Sequence, residues 1–159
     1  MILYFLRHGL AGDRAEWEGD DRLRPLTKKG EKNTALSAEM MDAIIQDLDE
    51  MITSPLVRAR QTAEIVADEF GMQEAMVEDE RLAPGFNLEK LAEIVKDYPN
   101  AEALMLVGHE PDFSETISKL IGGGNILCKK GGLARVDLIN SDPLEGQLVW
   151  LLQPKVLTL

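Results

Sequence analysis

The chain holds only two histidines, and each stands at the end of an apolar run: His8 after residues 1–6 and Arg7, His109 after residues 103–107 and Gly108. A charged, titratable Arg-His pair at the tip of a buried strand contributes little to packing, so it invites a chemical explanation. Neutral imidazole is a competent nucleophile. The planar arginine fork matches phosphate oxygens two at a time. Arg58 falls in the first turn of the helix expected after Ser54-Pro55, an electrostatically poor place for a cation unless an anion is met there. Arg7, His8, Arg58 and His109 together suit phosphoryl transfer, which needs positioning, charge stabilisation of the equatorial oxygens and a nucleophile.

Other phosphate chemistries fit less well. A thiol phosphatase needs Cys, five residues, then Arg; the single cysteine, Cys128, is followed by Arg135, one residue too far. The stretch from Gly124 to Lys130 does not supply a P-loop. No His, Asp and Glu cluster has the spacing of a binuclear metal site, so the expectation is no metal and no cofactor.

The elements that must position these residues follow from the pattern. Residues 1–6 and 103–107 are continuous apolar runs and read as strands buried on both faces. Residues 51–53 and 76–79 read as shorter strands, and 133–139 with 147–152 as an antiparallel pair. Between them lie helical patterns. Thr27 caps a helix whose core stripe is expected at Leu36, Met40, Ala43 and Ile44. Ser54-Pro55 is expected to serve as N-cap and first helical residue of a helix carrying Ala59, Ala63, Val66, Ala67 and Phe70, closed by Gly71. Asn87 caps a third helix, and Pro111 starts a fourth with Phe113, Ile117, Leu120 and Ile121 on one face, stopped by Gly122. Strands alternating with helices predict a layered α/β domain with a mostly parallel sheet over residues 1–159. In such sheets ligands bind at the carboxyl ends of the strands. Arg7, His8, Arg58 and His109 all fall there, beside helix N-termini that attract anions.

Composition limits the partners. The formal net charge of −11 disfavours nucleic acid and anionic lipid. No segment is long and apolar enough to span a bilayer, nothing resembles a signal peptide, and one cysteine suits a reducing compartment. A cytoplasmic protein is expected. The acidic stretch Glu16, Glu18, Asp20 and Asp21 reads as a solvated face.

Leu6-Arg7-His8-Gly9, Arg24-Pro25-Leu26-Thr27 with Gly30, Ser54-Pro55-Leu56-Val57-Arg58-Ala59, Gln61-Thr62-Ala63 and Val107-Gly108-His109 occur in that order. Together they resemble the histidine phosphatase superfamily, the phosphoglycerate mutase-like enzymes, and within it the SixA-type phosphohistidine phosphatases. The resemblance implies a three-layer sandwich with a mostly parallel central sheet flanked by helices. It implies a covalent mechanism in which His8 accepts the phosphoryl group while Arg7, Arg58 and His109 hold its oxygens, without metal. It also implies substrate contact at Gly9 and Arg24, the latter alternatively an ion-pair partner of Asp21.

One departure narrows the substrate. Superfamily members that cleave alkyl phosphates resemble one another in carrying an acid after the third strand; here that stretch is Arg81-Leu82-Ala83-Pro84-Gly85. An alkoxide leaving group benefits from a general acid by ~10²–10⁴-fold. An imidazole, with an ordinary pKa of about 6.5, is protonated before it departs. The expectation is therefore a phosphohistidine on a protein, such as a phosphotransfer domain. The alternatives are a small phosphorylated substrate or aryl phosphate, and a non-catalytic phosphate-binding module. Glu78 and Glu80 are the nearby carboxylates that would replace the missing acid.

Overall fold

The computed structural model describes all 159 residues. Six strands form one sheet: β1 (Ile2–Arg7), β2 (Glu50–Thr53), β3 (Met76–Glu78), β4 (Ala103–Gly108), β5 (Leu133–Ser141) and β6 (Leu144–Leu152), in spatial order β3-β2-β4-β1-β5-β6. β3, β2, β4 and β1 are parallel; β5 joins β1 antiparallel and β6 extends that edge, as expected for the final pair. The helices are α1 (Lys28–Ile44), α2 (Val57–Phe70), α3 (Leu88–Asp97), α4 (Asp112–Leu120) and the short α5 (Pro154–Leu157).

β1 and β4 are apolar throughout because both of their faces are covered. Leu3 and Phe5 pack with Leu104 and Leu106 against Leu91, Ile94, Phe113 and Ile117 of α3 and α4. Tyr4 and Leu6 pack with Met105 and Val107 against Ala38, Met41, Ala59, Ala63 and Val66 of α1 and α2. Two cores on one sheet make the three-layer sandwich.

Two local expectations are corrected. The Leu36, Met40, Ala43 and Ile44 face of α1 is exposed; the buried face is Gly30, Thr34, Ser37, Ala38 and Met41. The reason is close approach. A Cβ on Gly30 would stand 2.0 Å from the Leu10 carbonyl oxygen, so α1 seats its small residues against the segment leaving β1. α2 begins at Val57 rather than Pro55, with Leu56 as its N-cap and no side-chain cap. Ser54 has other work. By contrast, Thr27 accepts from the Gly30 N–H and Asn87 from the Lys90 N–H, as N-caps should.

Candidate active site

Strand register brings the two histidines together. β1 and β4 pair with Leu6 opposite Val107 and Arg7 opposite Gly108, so His8 and His109 leave the sheet on the same rung. The His8 N–H donates to the Gly108 carbonyl at 3.1 Å, and the Ser54 N–H donates to the Val107 carbonyl at 2.9 Å, binding the end of β2 to that rung. The imidazole centroids lie 5.4 Å apart. Gly108, the last residue of β4 before His109, has no room for a side chain, since a Cβ there would meet Phe113 Cζ at 2.7 Å.

His8 is buried, and its Nδ1 lies 2.8 Å from the Gly9 carbonyl oxygen. A carbonyl only accepts, so Nδ1 carries the proton and Nε2 keeps its lone pair. Burial is the main force pushing the His8 pKa down to about 3; the Gly9 bond opposes it, and His109, Arg58 and Arg7 add to it. The ring is therefore neutral near pH 7. His109 is likewise pushed down to about 3, by burial first and then by the Arg58 charge. Its Nε2 lies 2.7 Å from the Ser54 hydroxyl.

Arg58, Gln61 and Thr62 tie the Ser54-to-Ala63 stretch to the site. Arg58 enters the site from the first turn of α2, where it donates to the Asp21 carbonyl at 2.8 Å and the Asp21 carboxylate at 3.1 Å. The Gln61 side-chain oxygen accepts from the Leu26 N–H at 2.8 Å, tying the Arg24–Thr27 segment to α2. Thr62 Oγ1 accepts from the Gly9 N–H at 3.0 Å and donates to the Arg58 carbonyl at 2.7 Å. The His8 loop and Arg58 are thus held by one hydroxyl.

Arg7, His8, Arg24, Arg58 and His109 all line one open cleft of about 770 Å³. Arg24 donates to the Asp21 carboxylate at 2.9 Å and to the Gly12 carbonyl at 2.6 Å, which realises the ion pair without removing it from the cleft wall. Gly9, expected to touch substrate, is not on that wall. Its N–H and carbonyl are spent on Thr62 and His8, so it supports the site from behind. Arg7 donates through Nη1 to the Cys128 carbonyl at 3.0 Å. Cys128 itself is buried, which pushes its thiol up to about 12 and leaves it unreactive.

Three buried nitrogens of cleft-lining residues have no hydrogen-bond partner within the protein: Arg7 Nε, Arg58 Nε and His109 Nδ1. Buried donors left unmatched are uncommon and costly. Two arginine donors and a histidine nitrogen without partners, on residues that line the cleft with His8, suit a small, oxygen-rich anion. Asp21 already answers part of the positive charge. Its carboxyl is partly buried, which works against ionisation, yet the Arg24 hydrogen bond and the Arg58 charge hold it below the ordinary carboxylate range.

Several participants escaped the sequence expectations. Ser54 was expected only as a helix cap, and Thr62 lay inside a recognised motif with no role. Asp21 was read as part of a solvated acidic face and as a partner for Arg24, three residues away, but not for Arg58. Asp13, Arg14, Glu110, Asp112 and Lys130 also border the cleft. Glu78 and Glu80 do not border it; they pair with Arg60 at 3.7 Å and Arg22 at 3.0 Å. Pro84 and Gly85 occupy the wall instead. No three His, Cys, Asp or Glu side chains are grouped as a metal site, and no helix is long and apolar enough to cross a membrane.

A six-stranded, mostly parallel sheet between helical layers, with its cationic cleft at the strand ends, defines a phosphoglycerate mutase-like α/β protein. Residues 3–111 match the model of the histidine phosphatase superfamily, branch 1, and the chain belongs to that superfamily. An uncharacterized protein of Picosynechococcus sp. is 39% identical over 140 residues, covering 84% of this chain and 82% of that protein. The solved protein histidine phosphatase SixA in complex with tungstate has the same fold, with a TM-score of 0.86 at 22% identity over 98% of each chain. The alpha-ribazole phosphatase of Shigella flexneri also shares it, with a TM-score of 0.79 at 17% identity over 97% of each chain. So does a phosphoserine phosphatase mutant of Entamoeba histolytica bound to phosphoserine, with a TM-score of 0.73 at 14% identity over 97% of this chain and 98% of that one.

Proposed function

We propose that the chain is a metal-independent phosphohydrolase that forms a covalent phosphohistidine at His8, and that its substrate is phosphohistidine on a protein. The observation that carries the chemistry is that His8, with Nε2 unclaimed, shares one cleft with Arg7, Arg58 and His109, each of which has a buried nitrogen without a partner. A nucleophile faces donors suited to the oxygens of the group it attacks.

His8 Nε2 forms a bond to phosphorus while the bond from phosphorus to the substrate's imidazole nitrogen breaks. The departing ring leaves already protonated. The Nδ1–H bond to Gly9 stabilises the positive charge that grows on His8. Arg7, Arg58 and His109 hold the oxygens, with Arg24 adding charge at the edge. Water then attacks phosphorus, the bond to Nε2 breaks, and orthophosphate leaves with His8 neutral again.

The cleft wall supports the choice of substrate. Its carboxylates are engaged as acceptors: Glu110 by the Ser114 N–H and hydroxyl, Asp112 by the Gly85 N–H, Asp13 by the Ala15 N–H, and Asp21 by two arginines. Pro84 and Gly85 stand on the wall where an acid for an alkoxide would be needed, and an imidazole leaving group needs none. A comparison of kcat/KM across a phosphohistidine protein, an aryl phosphate and a sugar phosphate tests this. The phosphohistidine protein is expected to lead, and a clear preference for the sugar phosphate refutes the substrate. Enzyme quenched in alkaline detergent is expected to retain a base-stable, acid-labile phosphoryl label at His8, and chelators are expected to leave turnover unchanged. Tight phosphate binding without any label would make the chain a binding module instead.

A further inference from the structure

We infer that Ser54 is a positioning residue that sets the tautomer of His109: its hydroxyl donates to Nε2, so the ring proton resides on Nδ1, the unclaimed nitrogen at the cleft. The functional consequence rests on the proposed role of His109 as an oxyanion donor; the tautomer itself does not.

The hydroxyl has few choices. Ser54 is fully buried, and its Oγ accepts from the Leu56 N–H at 3.2 Å. Pro55 has no N–H to offer, so Leu56 supplies the first one after the strand. One lone pair of Oγ is taken, and its single proton needs an acceptor. The only other group in hydrogen-bond reach of Oγ is His109 Nε2, at 2.7 Å. If Nε2–H donated instead, the serine proton would be stranded in a dry site, which is costly. The bare Nδ1 would then turn its lone pair toward any oxyanion held by Arg7 and Arg58, where it would repel. With Ser54 donating, every group is matched except Nδ1–H, on a residue that lines the cleft with Arg7 and Arg58, whose Nε atoms are likewise unmatched.

The two histidines then become complementary while both stay neutral. The Gly9 carbonyl takes the Nδ1–H of His8 and leaves a lone pair for attack. The Ser54 hydroxyl takes the Nε2 lone pair of His109 and leaves an N–H for stabilisation. Each ring carries its proton on Nδ1 but presents the opposite nitrogen, so one is nucleophile and the other electrophile. Ser54 also explains why the strand end at 54 is not used as a helix cap.

The tautomer is directly measurable. With two histidines, protein labelled with ¹⁵N-histidine gives two rings in a long-range ¹H–¹⁵N correlation spectrum, and His8→Asn identifies the one that remains as His109. At pH 7 without substrate, Nδ1 of His109 is expected to be pyrrole-type and Nε2 pyridine-type. A protonated Nε2, or a doubly protonated ring, overturns the inference. In Ser54→Ala the His109 ring is expected to shift toward protonated Nε2, with orthovanadate binding weakened about ten- to a hundredfold, the scale of leaving a buried group unmatched. An unchanged tautomer in that variant also overturns it. A wild type with the expected tautomer but no phosphoenzyme refutes the proposed function while upholding the tautomer, so the two failures are distinguishable.

Discussion

Acidification from pH 7 to pH 5 should cost the folded protein stability through His8, by an amount set by its burial. The folded ring has a pKa of about 3, whereas an unfolded histidine titrates near 6.5. Between those values the unfolded chain binds a proton that the folded chain refuses, so stability rises with pH and is lost as pH falls from about 6.5 toward 3. At pH 5 the unfolded ring gains RT ln(1 + 10^1.5), about 2 kcal/mol, and at pH 7 only about 0.2 kcal/mol, while the folded ring gains almost nothing at either. The net loss from this one residue is ~2 kcal/mol. His8→Gln keeps an amide able to donate to Gly9 but cannot titrate. Urea unfolding of both proteins at pH 7 and pH 5 isolates the term, since the carboxylates contribute equally and cancel. Wild type is expected to lose about 2 kcal/mol more than the variant over this interval, with matching m-values. An equal loss in the two proteins would mean that His8 is not held neutral in the folded state, and the nucleophile assignment would fall with it.

Other expectations are simpler. Arg58→Ala should lower kcat/KM by ~10²-fold or more, as for removal of one preorganised donor; near-normal turnover of phosphohistidine protein contradicts its role. Asp21→Asn removes the resident anion from Arg24 and Arg58, and orthovanadate should inhibit the variant about two- to fivefold more tightly, the scale of a part-exposed ion pair; weaker inhibition would instead make Asp21 a support for the arginines. Gly30→Ala forces a Cβ against the Leu10 carbonyl oxygen, where backbone cannot yield as a side chain would, so a loss of at least ~1–3 kcal/mol in denaturant unfolding is expected. Unaltered stability would show that α1 does not need this approach.

The parts of the molecule visible in the sequence are those where one physical demand dominates. β1 and β4 were plain because burial on both faces leaves an unbroken apolar run. Arg7, His8, Arg58 and His109 were plain because charge at a buried strand end is otherwise hard to justify. α1 misled because its inner face is chosen for size, with Gly30, Thr34, Ser37 and Ala38, so the larger apolar side chains mark the solvent side. Ser54 misled because the residue that best suits a helix cap also suits a buried hydroxyl bridge, and the partner, His109, is fifty-five residues away. Asp21 sat in a stretch that looked like solvated acid, and only the fold turns it inward between two arginines.

The rung shared by β1, β2 and β4 also partitions motion within the enzyme. The amides of His8 and Ser54 are locked to carbonyls of the central strand, so their deuterium uptake should follow global unfolding. The backbone of residues 13–24 is largely exposed and carries Asp21 and Arg24, so its protection should be far lower. Such a protein is stiff where bonds are made and less tightly held along one border of its cleft. Replacing that border alone should then leave the reacting atoms where the strands put them.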